Sequence, residues 1–243
     1  MMPFVYLNGT PMSMYFLMGL AGFLFAFIIA LAKRRAFQLR VWDILGGAVL
    51  VMIGVLLGAR LLAAFGYILL NRQDAGFWTA ENWNQIVRGG GVFYGGLLGS
   101  MGMVALYAKL RHMESNNLFN PFAYCVLAFQ SLARIGCYFV GCCYGIELAN
   151  GAHFPVQLFE AGYCAAALLV FLLVKPERRW PEMPLFPLTL ITYSAGRFVL
   201  EFFRGDVERG IWWFLSTSQW IALALIALSI VWLYKSQVRK KHS

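Results

Sequence analysis

Charged residues are scarce in this sequence. They make up 13% of its 243 residues, whereas hydrophobic residues make up 60%, and a soluble domain carries about 25% charged residues. Because long apolar runs recur along the whole chain, a single aqueous core cannot bury them, and lipid is the expected solvent. The composition argues against an ordinary soluble protein and predicts one integral-membrane domain over residues 1–243.

Other features are missing as well. The amino terminus has no basic stretch before its first apolar run, and Lys33, Arg34 and Arg35 follow that run instead, which argues against a cleaved secretory signal. We find no low-complexity segment, soluble domain or internal repeat. The net charge of +9 is divided into short clusters between apolar runs, which is typical of membrane orientation and argues against nucleic-acid binding.

The sequence does contain apolar runs of transmembrane length. A membrane-spanning helix needs about 20 mostly apolar residues, so the sequence predicts an all-α polytopic membrane protein with seven transmembrane helices. The polar segment 71–90 is predicted to be an interfacial loop. The predicted spans are 13–32, 43–70, 91–110, 119–144, 157–174, 185–204 and 212–234.

The lysines and arginines are unevenly divided between the two sides of these spans. The segments after the first, third and fifth spans, together with the carboxyl-terminal tail, contain 13 of them, and the opposite segments contain 4. Cytoplasmic segments carry the excess of positive charge. The distribution therefore predicts an amino terminus outside the membrane and a cytoplasmic carboxyl terminus.

Three arginines, Arg60, Arg134 and Arg197, fall inside predicted spans. A charge at mid-bilayer costs about 2.5–3.5 kcal/mol on insertion scales, so intramembrane charges usually mark function. In the predicted orientation these arginines lie in the outer half of the membrane. The other polar residues expected at that depth are Tyr94, His153, Gln157, Glu160, Glu201 and Arg204.

A purely structural role for these charges is the alternative. Arg197 and Glu201 are four residues apart, on one helix face, and are able to pair; Arg60 or Arg134 is able to pair with Glu160. The basic groups nevertheless outnumber the acids at this depth. Surplus positive charge favours an anion, and at the outer leaflet the natural anion is a lipid phosphate, which arginine binds in a bidentate manner.

Glycines surround Tyr94. Small residues allow close helix packing, which is the expected role of Gly95 together with Gly99. Glycine also supports irregular backbone, which is tolerated at membrane depth where it lines a cavity. The run Gly89, Gly90 and Gly91 is therefore interpreted as a shaped loop at a cavity mouth.

Three of the five cysteines, Cys137, Cys142 and Cys143, cluster on the fourth predicted span. A metal site, a redox pair, a nucleophilic thiol and small hydrophobic packing residues all remain open. The spacing does not match a zinc motif. We therefore expect no metal and no cofactor.

Seven segments, taken in order, resemble the prolipoprotein diacylglyceryl transferase family from about Gly9 to Tyr234. The first two are Gly9 to Tyr15 and Gly58 to Arg60. The others are RGGGVFYGGLLG (88–99), ARIGCYFVGCCYG (133–145), FPVQLFE (154–160), YSAGRFVLEFFR (193–204) and LSTSQ (215–219).

The resemblance implies a transferase of lipoprotein biosynthesis in the bacterial cytoplasmic (inner) membrane, with its active site toward the extracytoplasmic face. The diacylglyceryl group of phosphatidylglycerol would move to the lipobox cysteine thiol of a prolipoprotein, and glycerol-1-phosphate would leave. Arg134 and Arg197 match essential arginines that hold the phosphate. Further matching positions shape the lipid site: Tyr15, Arg60, Gly95, Gly96, Gln157, Glu160, Tyr193, Glu201 and Arg204.

The chain departs from the family pattern at four positions. Tyr94 stands where the family has a histidine proposed as base, Cys137 replaces an asparagine, Cys142 a glutamate and Phe154 a histidine. Tyrosine, with a pKa of ~10, is a poor base near neutrality, so His153 or water is the alternative. A membrane enzyme with another acceptor, and a non-enzymatic lipid-binding or transport protein, remain the alternative functions.

Overall fold

The computed structural model describes residues 3–7, 9–71, 93–113, 115–181, 183–205 and 211–241. Helices account for 79% of these residues. Its elements are β1 (Phe4–Leu7), β2 (Thr10–Ser13), α1 (Met14–Lys33), α2 (Val41–Asn71), α3 (Phe93–Leu110), α4 (Ser115–Val140), α5 (Val156–Val174), α6 (Leu185–Leu200), β3 (Ile211–Trp212), β4 (Leu215–Ser216) and α7 (Thr217–Lys241). Short helical turns cover Arg34–Phe37, Pro176–Arg179 and Glu201–Phe203.

Within the ranges that the structure describes, five helical segments are long and apolar enough to cross a membrane. This finding confirms the expectation of a helical, multi-pass membrane protein. The segment Gly95–Leu110 is apolar but shorter. The five segments are Met14–Phe37, Val41–Ile68, Leu118–Val140, Val156–Arg179 and Thr217–Val238.

The chain forms two compact units, and the first comprises Met1–Gln38 and Phe119–Ser243. In this unit α1 packs antiparallel to α4 through small residues. A Cβ added at Gly136 would lie 2.9 Å from Cβ of Met18, and one added at Gly22 would lie 3.0 Å from the carbonyl oxygen of Phe129. Small residues let two membrane helices approach closely. This contact places the start of α1 beside the carboxyl-terminal end of α4.

A buried polar cluster lies at the other end of α4. Nζ of Lys33 lies 2.6 Å from Oε1 of Glu177, and the hydroxyl of Tyr124 donates to Oε2 of the same carboxylate. Lys33 also stands over the Tyr124 ring, 4.7 Å from its centroid. Burial of these polar groups is tolerated because each has a partner. The cluster joins the end of α1 to the turn after α5.

The last helix begins with a reciprocal cap. The backbone N–H of Gln219 donates to Oγ of Ser216 at 3.2 Å, and the backbone N–H of Ser216 donates to Oε1 of Gln219 at 2.9 Å. This arrangement is a capping box, which satisfies two backbone donors at a helix start. It explains why α7 begins at Thr217.

The second unit comprises Leu39–Leu118 and contains α2 and α3. Each of these helices carries a pair of glycines four residues apart, and the pairs face each other. A Cβ added at Gly54 would lie 2.5 Å from the carbonyl oxygen of Gly99, and one added at Gly58 would meet Gly95. The close helix packing expected for Gly95 and Gly99 is confirmed.

Several predicted boundaries were wrong. The span predicted at 119–144 ends at Val140, so Cys142 and Cys143 lie beyond the helix. The span predicted at 212–234 begins later, because Ile211–Trp212 and Leu215–Ser216 pair as a hairpin before α7. The amino-terminal hairpin of β1 and β2 was not predicted either. The predicted loop 71–90 and the Gly89 to Gly91 run lie outside the described residues, apart from Asn71 at the end of α2.

The glycine contacts in the second unit lead to a stability prediction. Gly99→Ala should lower the free energy of unfolding by about 1–3 kcal/mol, because the new methyl group overpacks the contact with Gly54 and Gly58. The measurement is thermal unfolding of the purified protein in detergent. Gly102→Ala is the matched control on the same helix, since a Cβ at Gly102 meets nothing within 4 Å. Equal melting temperatures for both variants would contradict the proposed role of the glycine contact.

Candidate active site

The site begins on one face of α4. Gln130, Arg134 and Cys137 are spaced by four and three residues, which places them on the same side of a helix. Gln130 is 2% exposed and Cys137 is 6% exposed. The Arg134 side chain is 12% exposed. A buried arginine requires a compensating charge nearby.

Glu160, on α5, supplies that charge to two arginines at once. Its Oε2 accepts a hydrogen bond from Nη1 of Arg197 at 2.9 Å. Its Oε1 lies 3.0 Å from Nε of Arg134, although the N–H of Arg134 does not point at this oxygen. The contact with Arg134 is therefore an ion pair without a well-directed hydrogen bond. The Glu160 side chain is only 3% exposed.

Two neutral side chains complete this network. The hydroxyl of Tyr193 donates to Oε1 of Glu160 at 3.3 Å, and Nε2 of Gln130 donates to the Tyr193 oxygen at 2.7 Å. Tyr193 is 3% exposed. Three helices, α4, α5 and α6, are thus joined through one buried carboxylate.

A second carboxylate extends the network along α6. Nη2 of Arg197 lies 3.0 Å from Oε2 of Glu201, one helical turn away. Nε of Arg204 lies 3.9 Å from the same oxygen. The sequence left these pairings as a structural alternative, with either Arg60 or Arg134 as the partner of Glu160. The structure pairs Arg197 with Glu201 and Arg134 with Glu160.

These five charged residues form one connected cluster. Three guanidinium groups, of Arg134, Arg197 and Arg204, face two carboxylates, of Glu160 and Glu201. All five side chains are at most 12% exposed. Guanidinium groups held in a buried region form strong, directed hydrogen bonds to phosphate or carboxylate oxygens. The arrangement is suited to binding an anionic group.

A hairpin-like loop follows α4. The N–H of Gly145 donates to the carbonyl of Phe154 at 3.0 Å, and the N–H of Ile146 donates to the carbonyl of Phe203 at 2.9 Å. A Cβ at Gly145 would clash with both of these carbonyl groups, and Gly205 packs against Gly145 in turn. Glycine is required here because three chain segments meet at one point.

Gln157 and His153 are placed by this loop. Nε2 of Gln157 donates to the carbonyl of Cys142 at 2.8 Å, while its buried Oε1 has no hydrogen-bond partner among the described residues. His153 is exposed, and its Nδ1 lies 3.2 Å from the carbonyl oxygen of Gly145. Because a carbonyl only accepts, this contact requires a proton on Nδ1 and leaves Nε2 as the basic nitrogen.

The three clustered cysteines are brought together, although only Cys137 lies on the helix. Their sulfur atoms all lie within 4.8 Å of one another. Hydrogen bonds from Cys137 and Cys142 lower the pKa of the Cys143 thiol below its ordinary value, and the positive charges of Arg204 and Arg134 act in the same direction. Hydrogen bonds with Cys137 and Cys143 raise the pKa of the Cys142 thiol above its ordinary value. Cys143 is therefore the thiol that ionises most readily.

The remaining candidates are placed as follows. Tyr15 lies at the start of α1, where its Cα packs against Gly136, and is 55% exposed. Arg60 lies in the second unit, where it is exposed and forms no ion pair within the described part of that unit. Gly95 and Gly96 pack against α2. Tyr94 lies in the first turn of α3, and its side chain is outside the described part of the chain.

Gln130 was not predicted from the sequence as a residue of the site. It is buried and holds the Tyr193 hydroxyl. The available signal was its spacing, because it lies four residues before Arg134 and so shares its helix face.

Comparison with known proteins agrees with this geometry. The family model described as "Prolipoprotein diacylglyceryl transferase" matches residues 3–235. A protein of Clostridium tetani named phosphatidylglycerol–prolipoprotein diacylglyceryl transferase is 31% identical over 75% of this chain and 76% of its own length. Proteins of the same name from Photobacterium profundum and Acinetobacter baumannii are 30% and 29% identical, over 96% and 94% of this chain and 93% and 90% of theirs. This chain therefore belongs to the prolipoprotein diacylglyceryl transferase family.

Proposed function

We propose that the protein transfers the diacylglyceryl group of phosphatidylglycerol to the lipobox cysteine of a prolipoprotein. The observation that carries this proposal is the buried pair of Arg134 and Arg197, whose guanidinium groups meet at the single carboxylate of Glu160. Family membership over residues 3–235 supports it. In the reaction the substrate thiolate attacks the glycerol carbon, a carbon–sulfur bond forms, the carbon–oxygen bond to phosphate breaks, and glycerol-1-phosphate leaves.

Arg134 and Arg197 would bind the lipid phosphate and stabilise the charge that develops on the leaving group. Preorganised donors aimed at developing charge are usually a large part of catalysis. Glu160 holds both guanidinium groups in place, so they need no reorganisation when the phosphate arrives. The buried Oε1 of Gln157 would accept a hydrogen bond from a hydroxyl of the glycerol headgroup.

The nucleophile would be the substrate's own thiolate, so the protein has only to accept a proton. His153 is suited to this role because a proton on Nδ1, donated to the carbonyl of Gly145, leaves Nε2 free to accept one. Tyr94 is the other candidate by position. Tyr15, Tyr193, Glu201 and Arg204 would shape the lipid site around the two arginines.

A second candidate keeps the lipid donor and changes the acceptor. The specific observation in its favour is that Cys137 and Cys142 stand at positions where the family pattern has asparagine and glutamate, and that they form a cluster with Cys143. In this alternative a thiol of the enzyme takes part in the reaction. A transfer assay distinguishes the two.

We further propose that the seven helices α1 to α7 all cross the bacterial inner membrane as one domain. The amino terminus would lie outside and the carboxyl terminus in the cytoplasm, and the arginine cluster would face the extracytoplasmic side. The bias of 13 to 4 in lysine and arginine supports this orientation. The helices α3 and α6 would be the two spans beyond the five that are long and apolar enough by themselves.

The direct test is a transfer assay. Purified protein in detergent receives phosphatidylglycerol and a lipobox peptide, and the peptide mass reports an added diacylglyceryl group. Arg197→Ala should abolish the product, and Arg134→Lys should lower kcat by about 100-fold, because lysine cannot form the bidentate contact. No product from the wild type, with phosphatidylglycerol still bound, would exclude the peptide as acceptor and favour the second candidate.

The role of Glu160 is tested separately. Glu160→Gln should lower kcat/KM by at least about tenfold, or ~1.4 kcal/mol in transition-state stabilisation, because Arg134 and Arg197 lose the charge that orients them. Glu177→Gln is the matched control, since Glu177 is equally buried and paired but belongs to the Lys33 cluster. It should lower the melting temperature and leave kcat/KM of the folded fraction unchanged. Equal losses of kcat/KM in both variants would contradict the orienting role.

The proposed orientation has its own test. A green fluorescent protein fused after Ser243 should fluoresce, and alkaline phosphatase at the same position should be inactive, because that end is expected in the cytoplasm. Alkaline phosphatase fused in the 147–153 loop should be active. The opposite pattern would place the arginine cluster on the cytoplasmic side and contradict the proposed access of the substrate.

A further inference from the structure

The cluster of Cys137, Cys142 and Cys143 owes its geometry to the way α4 ends. The N–H of Cys142 donates to the carbonyl of Cys137 at 3.2 Å, and the N–H of Gly141 donates to Tyr138 at 3.2 Å. Gly141 has a φ of 79°. This pair of bonds with a left-handed glycine is a Schellman motif. It folds the chain back so that Cys142 and Cys143 return to the end of the helix beside Cys137.

The distances suit a bound metal ion. The three sulfur atoms lie within 4.8 Å of one another. With metal–sulfur bonds of about 2.3 Å, three sulfurs in a trigonal arrangement lie about 4.0 Å apart. A shift of the sulfur atoms by less than about 1 Å would therefore bring all three to bonding distance of one ion.

The chemistry of the donors selects the ion. Within the described residues the cluster consists of thiols alone, and thiolates are soft ligands that bind Cu(I), zinc or iron–sulfur clusters. Zinc needs a fourth ligand, which is a side chain in structural sites and a water molecule in catalytic ones, and the described cluster supplies three. A monovalent soft cation is satisfied by three.

Charge and access agree with this choice. Three thiolates and one monovalent cation carry a net charge of −2, and Arg134 lies one helical turn before Cys137, on the same face of α4. Cys137 is buried, whereas Cys142 and Cys143 are partly exposed. An ion can therefore enter past Cys142 and Cys143 and displace the thiol protons to solvent, while Cys137 holds it from the buried side.

We propose that Cys137, Cys142 and Cys143 form a three-coordinate site for a soft monovalent cation of the Cu(I) class. None of these three thiols takes part in the proposed transfer reaction, which uses the thiol of the substrate. Two of the thiols replace asparagine and glutamate of the family pattern, so the site would be a property of this chain.

The test is a titration of the reduced, full-length protein in detergent with Cu(I), under anaerobic conditions, against a colorimetric Cu(I) chelator. We expect one tightly bound ion per chain. The control Cys125→Ala/Cys164→Ala should keep that ion, since neither cysteine belongs to the cluster. Each of Cys137→Ser, Cys142→Ser and Cys143→Ser should weaken binding by at least about tenfold, because each removes one soft ligand.

X-ray absorption at the copper edge of the wild type provides a second readout that does not depend on the folding of the variants. Three sulfur neighbours would support the proposal. A nitrogen neighbour, binding that survives all three serine substitutions, or loss of the ion in the Cys125→Ala/Cys164→Ala control would overturn it. So would a disulfide within the cluster that persists in reductant and excludes the ion.

Discussion

One carboxylate, that of Glu160, connects the charges on which the site depends. Its two oxygens meet Arg134 and Arg197 at 3.0 and 2.9 Å, and Tyr193 donates to it as well. A buried ion pair contributes little net stability, because desolvation opposes the Coulombic gain, whereas removal of one partner is costly. The main effect of the network is therefore to hold two guanidinium groups in position, and it adds little to the free energy of unfolding.

The same network supports the proposed binding of an anionic headgroup. Among the described residues, Glu160 and Glu201 pair with the guanidinium groups of Arg134, Arg197 and Arg204 in a region shielded from water. In the proposed reaction Arg134 and Arg197 would donate hydrogen bonds to the lipid phosphate. Hydrogen bonds from Cys137 and Cys142 lower the pKa of the nearby Cys143 thiol, and the positive charges of Arg204 and Arg134 act in the same direction.

Small residues decide how closely the helices approach. In the first unit Gly22 and Gly136 bring α1 against α4, and in the second unit Gly54 and Gly99 bring α2 against α3. Lipid offers no hydrophobic gain for helix association, so close packing has to supply it. The first of these contacts sets the start of α1, and with it Tyr15, beside the end of α4 that carries the site.

The sequence by itself determined the helical membrane fold, the resemblance to the family and the ability of Arg197 and Glu201 to pair on one helix face, because hydropathy, motif order and helical spacing are local properties of the chain. Only the tertiary structure decided that Arg134, and not Arg60, pairs with Glu160. Only the tertiary structure decided that Glu160 serves two arginines and that Gln130 supports Tyr193. It also decided that Cys142 and Cys143 lie beyond α4. That placement depends on the Schellman turn at Gly141. The apolar sequence pattern continues past this turn, so it does not show where the helix ends.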